Sequence, residues 1–245
     1  MELFGEIMAQ TRNRLDELAA RVHPVASYRA GPHSWPGGVR GNIVLQADTA
    51  VELGNPRDES ASFVLWTENP ALVESGRITV VGPDIPESRG RSLPFGKAVF
   101  LLVEGFDAHN CYEHHREIEL ARYDVSLKGY MMRGVSQYLR EWSRVSREAA
   151  GNGFTLRTLG EALVERYMSL DYVAGVECVF VTSSTADVRS LQPPGEKAAR
   201  LIGAMNRMAS ELSLDCGSCG FSDVCAEVDG LRAMRSTLHG EAENA

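Results

Sequence analysis

Four short apolar segments, interleaved with helical patterns, constrain the fold of this 245-residue chain more than any other feature. The segment Lys97–Glu104 (KAVFLLVE) is apolar at six consecutive positions, which is typical of a strand buried on both faces of a sheet. Segments of the same kind lie at Ala61–Thr67, Arg77–Val81 and Ala174–Thr182. Because strands alternate with helices along the chain, we predict an α/β fold, a mixed sheet flanked by helices.

The remaining patterns divide the chain into three parts. Apolar residues at helical spacing from Phe4 to Val22 predict an N-terminal helical arm, and the Gly/Pro-rich stretch Tyr28–Gly41 predicts a loop after it. We therefore expect the arm and loop at 1–40, an α/β body at 41–192, and a C-terminal helix with a cysteine-rich tail at 193–245. Other patterns predict a strand at the start of Asn42–Leu53, a short helix at Asn69–Ser75, and one long helix or a helix pair over Glu113–Arg147. A further helix is predicted over Thr158–Leu170, where Thr158 and Glu161 have capping-box spacing. Pro193-Pro194-Gly195 predicts a break in the chain, and an amphipathic helix is predicted from Ala198 to Leu212.

Charge and composition exclude several classes of protein. The formal net charge of −8 argues against a general nucleic-acid binder, which needs a basic face. The stretch Met1–Leu18 lacks an apolar signal core, and no apolar run approaches the ~20 residues of a membrane span. We predict a cytoplasmic protein that uses neither a membrane nor nucleic acid. Of 25 cationic residues, 22 are Arg, a bias that either reflects codon usage or serves an anionic ligand.

Three of the five cysteines lie close together near the C-terminus. Cys216, Cys219 and Cys225 form a C-x2-C-x5-C arrangement, whose thiolates can occupy three corners of a 4Fe-4S cluster. Zinc is an alternative metal, with His239 as its fourth ligand. Cys111 or Cys178 is a further candidate for the fourth position of either metal, and His239 or an external ligand is a further candidate for the cluster. Three unligated thiols are the remaining alternative.

The two other cysteines carry weaker signals. On a helix, Cys111 and His115 would share a face, which suits a metal; the alternative is a solvated helix start. Cys178 lies inside an apolar segment and is predicted to be a small buried residue.

A group of arginines surrounds one tryptophan. If the chain is helical there, Arg140, Arg144 and Arg147 lie at i, i+4 and i+7 and form one face beside Trp142. Such a face can hold phosphates while the aromatic ring stacks on a planar base, and Arg157 follows a short distance along the chain. The alternative is an exposed helix face with Trp142 packed inward. No catalytic residue is predicted, because no nucleophile elbow, Walker loop, H-E-x-x-H or G-x-G-x-x-G motif is present.

Several motifs, in the same order, resemble one family. They are Val51-Glu-Leu-Gly-Asn-Pro, Arg77-Ile-Thr-Val-Val-Gly-Pro-Asp-Ile-Pro, Ser92-Leu-Pro-Phe-Gly, Trp142-Ser-Arg-Val-Ser and Gly153-Phe-Thr-Leu-Arg-Thr-Leu-Gly-Glu. Over residues 41–182 they resemble the middle region of the acetyl-CoA synthase (beta) subunit of the CO dehydrogenase/acetyl-CoA synthase complex. That family joins a methyl group, CO and coenzyme A at a nickel–iron–sulfur centre. The resemblance implies coenzyme A binding through a tryptophan and arginines, here Trp142, Arg144 and Arg157.

The chain also departs from the family pattern. The gap before Cys225 is shorter than in the family, no fourth cysteine follows, and the Cys-Gly-Cys motif that holds nickel is missing, so we do not expect nickel. The large N-terminal domain of the family is missing as well. The start of the cysteine cluster, Cys216-Gly-Ser-Cys219-Gly-Phe, resembles the iron–sulfur module of the corrinoid iron–sulfur protein, which implies electron transfer or docking to a corrinoid protein.

These features support three hypotheses. The first is an iron–sulfur accessory or redox component of one-carbon and corrinoid metabolism. The second is a coenzyme A-binding acyltransferase component that other subunits of a CO dehydrogenase/acetyl-CoA synthase-like system complete. The third is a scaffold without a ligand.

Overall fold

The computed structural model describes residues 3–39, 41–54, 60–136, 140–210, 220–228, 230–231 and 233–234. The helices are α1 (Gly5–Arg21), α2 (Cys111–Ala121), α3 (Arg147–Gly151), α4 (Leu156–Met168), α5 (Thr185–Arg189), α6 (Gln192–Ser210) and α7 (Ser222–Glu227). The strands are β1 (Val25–Arg29), β2 (Thr49–Leu53), β3 (Ser60–Thr67), β4 (Arg77–Val81), β5 (Arg91–Leu93), β6 (Phe95–Val103), β7 (Tyr130–Ser136), β8 (Arg140–Ser146) and β9 (Val173–Val181). The α/β class, with mixed sheets flanked by helices, is confirmed.

The four apolar segments form the larger of two sheets. Its strand order is β1-β4-β9-β6-β3, in which β3 runs parallel to β6 and β6 runs antiparallel to β9. Every residue of β3 is buried although β3 is the last strand of the sheet, because α1, α6 and β8 pack against it. The predicted strands at these four positions are therefore confirmed: Arg77–Val81 has the predicted boundaries, and the boundaries of the other three shift by at most two residues.

Helices cover this sheet through close packing. Helix α4 contacts β4 and β9. At Gly160 the helix lies so close to β4 that a Cβ there would be 2.8 Å from the side chain of Ile78, so this close approach requires glycine. Helices α1 and α6 contact each other and β3. Strand β1 pairs with β4, so Tyr28, predicted to begin a loop, instead lies in the sheet. The predicted domain boundaries at 40/41 and 192/193 stay predictions.

The smaller sheet corrects the prediction of a long helix over Glu113–Arg147. Helix α2 ends at Ala121, and the chain then forms the antiparallel strands β7 and β8 in a sheet of order β5-β2-β8-β7. Along β8, Glu141, Ser143 and Val145 are buried and alternate with more exposed residues. This period of two fits a strand. Two of the three buried residues are polar, so the sequence shows no alternation of apolar and polar residues there.

Three local predictions also need correction. The strand in Asn42–Leu53 lies at its end, as β2, and not at its start. Thr155, not Thr158, caps α4, because its hydroxyl accepts a hydrogen bond from the Thr158 amide. Pro193 and Pro194 do not break the chain: they lie in the first turn of α6, where a missing N–H costs no helical hydrogen bond.

One negative finding concerns the helices. In the part of the chain that the structure describes, none is long and apolar enough to cross a membrane.

Candidate functional site: the outer face of strand β8

Strand β8 presents three of the predicted site residues on one face. Arg140, Trp142 and Arg144 are separated by two positions each, so their side chains point to the same side of the strand. Trp142 and Arg144 are half-buried, and Arg140 is exposed. The predicted helical face is wrong, but these three residues still share a face because their spacing is even.

Glu52 on β2 holds the tryptophan and the arginine together. Glu52 lies opposite Arg144 in the antiparallel β2–β8 pair. Its Oε1 accepts a hydrogen bond of 2.7 Å from Trp142 Nε1 and one of 3.1 Å from Arg144 Nε. The Arg144 guanidinium carbon lies 4.4 Å from the centre of the Trp142 ring, a cation–π distance. The three side chains therefore form one ordered cluster, the Glu52–Trp142–Arg144 cluster.

The Arg144 guanidinium keeps part of its hydrogen-bonding capacity. Nε donates to Glu52, and Nη1 donates to the Val44 carbonyl at 3.3 Å. Among the described residues nothing accepts a hydrogen bond from Nη2. Because a guanidinium has five N–H donors in a rigid fork, this cluster leaves donors for a phosphate or carboxylate.

A buried polar network lies beneath the same strand. Glu141 accepts hydrogen bonds from Lys97 Nζ and, at 2.9 Å, from Ser62 Oγ. Tyr130 and Ser143 hydroxyls lie 3.4 and 3.3 Å from its other oxygen. Burial raises the pKa of Glu141, but the charge and hydrogen bond of Lys97, together with the Arg122 charge and the Ser62 hydrogen bond, lower it by more, so the pKa lies below its ordinary value. The carboxylate is therefore ionised, and it anchors β8 on β3 and β6.

The next arginine along the chain lines a cleft beside the cluster. Arg147 follows β8 as the first residue of α3, and its side chain is exposed. It borders an open cleft of about 520 Å³ whose walls are segments 37–39, 42–44, 128–129 and 146–148, with Asp48. Within the described ranges Arg147 makes no ion pair or side-chain hydrogen bond.

Arg157 lies elsewhere. It is on α4, its Nε donates to Glu161 Oε1 at 2.8 Å, and its guanidinium lies 5.3 Å from the ring centre of Tyr28 on β1. No contact of the described residues joins it to Trp142 or Arg144. The structure thus brings Arg140, Trp142 and Arg144 together, places Arg147 beside them, and puts Arg157 on helix α4, which packs against the larger sheet.

The predicted metal ligands are only partly within the described residues. Cys225 lies on α7 and is partly exposed, whereas Cys216, Cys219 and His239 lie outside the described ranges. Among the described residues, no group of three or more His, Cys, Asp or Glu side chains could hold a metal ion.

The two candidate fourth cysteines are buried. Burial raises the pKa of Cys178, on β9 in the centre of the larger sheet, to about 12, as expected for a small buried residue. Burial also raises the pKa of Cys111 to about 11. The Cys111 thiol lies 3.8 Å from Met234 Sδ, so Cys111 contacts the C-terminal segment whereas Cys178 is enclosed by strands.

Neither prediction for Cys111 and His115 describes what they do. They share a face of α2, but both are fully buried, so this is not a solvated helix start. His115 Nδ1 accepts a hydrogen bond of 3.2 Å from Trp66 Nε1, and its ring stacks on Phe4 at 5.8 Å. The pair belongs to the core, where His115 satisfies the tryptophan donor.

Two features of the site escaped sequence reasoning. Glu52 pairs across strands and is 92 residues from Arg144 in sequence, so only the β2–β8 register could have revealed it. The lining of the cleft comes from loops, the last residue of β8 and the start of α3, and its only signal in the sequence is a set of glycines, including Gly37, Gly38 and Gly129.

The fold and the β8 face define a class: an α/β domain of two mixed sheets that presents arginine and tryptophan side chains on one strand. A sequence model of a known family, the CO dehydrogenase/acetyl-CoA synthase complex beta subunit, matches residues 34–188. The chain belongs to this family. The resemblance drawn from its ordered motifs is confirmed.

Curated relatives show how much of such a protein the chain covers. It is 31% identical over 174 residues to the acetyl-CoA decarbonylase/synthase complex subunit beta of Methanothermobacter thermautotrophicus, and 28% identical over 174 residues to that of Methanopyrus kandleri. Each match covers 71% of this chain and 36% of the relative. The carbon monoxide dehydrogenase/acetyl-CoA synthase subunit alpha of Moorella thermoacetica is 29% identical over 150 residues, 61% of this chain and 20% of the relative. The chain thus spans about a fifth to a third of the relatives it matches.

Proposed function

We propose that this chain is a coenzyme A-binding component of a CO dehydrogenase/acetyl-CoA synthase-like system and acts with partner subunits. The observation that carries the proposal is the cation–π contact of 4.4 Å between the Arg144 guanidinium and the Trp142 ring on the outer face of β8. The relatives are described as subunits of complexes or of a carbon monoxide dehydrogenase/acetyl-CoA synthase, which is the basis for expecting partner subunits here.

The chemistry of the β8 face suits the nucleotide part of coenzyme A. That part carries several phosphate charges and a planar adenine. Arg144 Nη2 and the exposed Arg140 supply cationic groups for the phosphates. The Arg144 guanidinium lies over the Trp142 ring, so a planar base can stack on this guanidinium.

Calorimetric titration with coenzyme A tests this function. Arg144→Ala removes a charge-assisted hydrogen bond worth about 1.5–3 kcal/mol, so we expect affinity to fall at least about tenfold. The matched control is Arg157→Ala, which removes an arginine that the resemblance also implicates but that lies on α4, against the larger sheet. We expect it to change affinity less than about twofold. No binding by the wild type would refute the proposal, and equal losses in both variants would refute the β8 face as the site.

A second candidate function is an iron–sulfur accessory or redox role, which the C-x2-C-x5-C spacing of Cys216, Cys219 and Cys225 favours. Cys225, on α7 and partly exposed, fits a ligand role. Cys178 does not fit one, because its thiol is enclosed in the sheet, so Cys111, beside the C-terminal segment, is the better internal candidate for a fourth ligand. A 4Fe-4S cluster bound there would supply one-electron transfer, and a corrinoid protein is the partner we propose for that role.

Anaerobic purification followed by iron and sulfide analysis tests the cluster. We expect Cys225→Ala to lose iron and Cys178→Ala, a matched cysteine substitution in the sheet, to keep it. A colourless wild-type protein without iron would contradict this second candidate and leave the coenzyme A proposal intact.

A further inference from the structure

The cleft beside the Glu52–Trp142–Arg144 cluster has the dimensions of a ligand site. Its volume of about 520 Å³ lies within the ~300–1,000 Å³ typical of small-molecule pockets. Glycines allow its walls to approach closely: Gly129 has φ of +78°, and a Cβ there would lie 2.6 Å from Ser146 Oγ. A side chain at Gly38 would likewise lie 2.8 Å from the Leu127 backbone.

One wall of the cleft displays apolar side chains to solvent. In the segment 42–44, Asn42 Nδ2 donates to the Tyr130 carbonyl at 3.4 Å, and Val44 is buried. Ile43 between them is 66% exposed, and Val39, which also lines the cleft, is 79% exposed. Exposed aliphatic side chains that line a cleft are an unfilled apolar contact surface.

The charges of the cleft balance. Lys128 and Glu148 form an ion pair of 2.8 Å on the wall, and Asp48 balances Arg147. The lining therefore carries two positive and two negative side chains. A neutral ligand that is partly apolar and partly hydrogen-bonding suits it better than a polyanion does.

The cleft and the β8 face meet at one residue. Val44 lines the cleft, and its carbonyl accepts the 3.3 Å hydrogen bond from Arg144 Nη1. Arg147 follows Arg144 by three residues, about 10 Å along an extended strand. One elongated ligand can therefore contact both.

We propose that this cleft binds the pantetheine arm of coenzyme A while the β8 face holds its nucleotide; the inference rests on the proposed function. The arm is neutral, carries two amides and a geminal dimethyl group, and so matches the cleft in charge and polarity. Arg147, which lines the cleft and directly follows β8, contacts the diphosphate that joins the arm to the nucleoside.

Calorimetric titrations with coenzyme A, and with 3′,5′-ADP as the nucleotide without its arm, test the cleft. Ile43→Asn and Val39→Asn each replace an apolar side chain of the cleft by a polar one and introduce no charge. Both positions are exposed, so we expect the variants to fold. Leu45→Asn is the matched control, since Leu45 is 60% exposed in the same segment but does not line the cleft. We expect the two cleft variants to bind coenzyme A at least about fivefold more weakly and 3′,5′-ADP within about twofold of wild type, with Leu45→Asn unchanged for both ligands.

The outcomes separate the two proposals. If the cleft variants behave like Leu45→Asn, or weaken both ligands equally, the cleft does not hold the arm and the nucleotide site stands. If wild type binds neither ligand, the proposed function fails and this inference fails with it.

Discussion

Lys97 on β6 and Glu141 on β8 form an ion pair that is buried between the two sheets, with both side chains at most 4% exposed. It is a direct polar link from the larger sheet to the strand that carries Trp142 and Arg144. Glu141 also accepts a hydrogen bond from Ser62 on β3, so one carboxylate joins three strands. The ion pair and the hydrogen bond on the inner face of β8 therefore fix the position of the side chains on its outer face.

We predict that Lys97→Met strongly destabilises the protein. The variant leaves the Glu141 carboxylate buried without its counter-ion, and breaking a buried pair in this way costs about 3–5 kcal/mol. Urea unfolding followed by circular dichroism measures the free energy of unfolding. Lys128→Met is the matched control: its ion pair with Glu148 is exposed, so we expect a loss below about 1 kcal/mol. Equal losses in the two variants would contradict the structural role of Glu141.

The lowered pKa of Glu141 predicts that the protein loses stability in acid. The pKa of Glu141 in the folded state lies below 4.5, its ordinary value, which it has in the unfolded chain. Between these values the unfolded state binds more protons, so the free energy of unfolding falls as the pH falls through the folded pKa. Above the ordinary value the full contribution is present.

Thermal unfolding from about pH 7 to about pH 3 measures this dependence. Glu141→Gln lacks the titrating group, so its melting temperature should fall less steeply than that of wild type below about pH 4.5. Parallel curves for the two proteins would mean that other carboxylates account for acid denaturation.

The sequence predicted the larger sheet well because burial there is achieved with apolar residues. β3, β4, β6 and β9 are nearly continuous apolar runs, and such runs are the strongest signal of a buried strand. The sequence did not predict β7 and β8 as strands. Glu141 and Ser143 face inward but are polar, and their burial depends on Lys97, which is 44 residues away from Glu141 in the chain. A pattern within β8 cannot reveal that distant partner.

The site was predicted in part, and partly for the wrong reason. The sequence pattern pairs Arg140 and Arg144 as neighbours on a helix, yet a separation of four also places residues on one face of a strand. Arg147 is an odd number of positions from both, so it does not share their face and lies at the cleft instead. Glu52 was missed because cross-strand partners depend on register, which tertiary structure fixes.

Glu52 should tune the affinity of the β8 face for anions. Glu52→Gln keeps an oxygen that accepts from Trp142 Nε1 and Arg144 Nε but removes a negative charge beside the phosphate site. We predict that coenzyme A binds about threefold more tightly to this variant, measured by calorimetry at low ionic strength. The gain should shrink as salt is added.

Glu52→Ala separates charge from positioning. It removes the same charge but also the acceptor that holds Arg144 on the Trp142 ring. We expect it to bind coenzyme A more weakly than Glu52→Gln does, with an altered tryptophan emission spectrum. If the two variants bind equally well, the hydrogen bonds of Glu52 do not position the arginine.

The thiols of Cys111 and Cys178 should resist alkylation in the native protein. Burial raises their pKa values to about 11 and about 12, so near pH 8 almost no reactive thiolate is present, and both side chains are fully buried. Mass spectrometry of peptides after brief iodoacetamide treatment should find both residues unmodified in native protein and modified after denaturation. Rapid labelling of Cys178 in the native state would show that β9 is not enclosed between β4 and β6. Rapid labelling of Cys111 alone would show that the C-terminal segment around Met234 separates from α2 in solution.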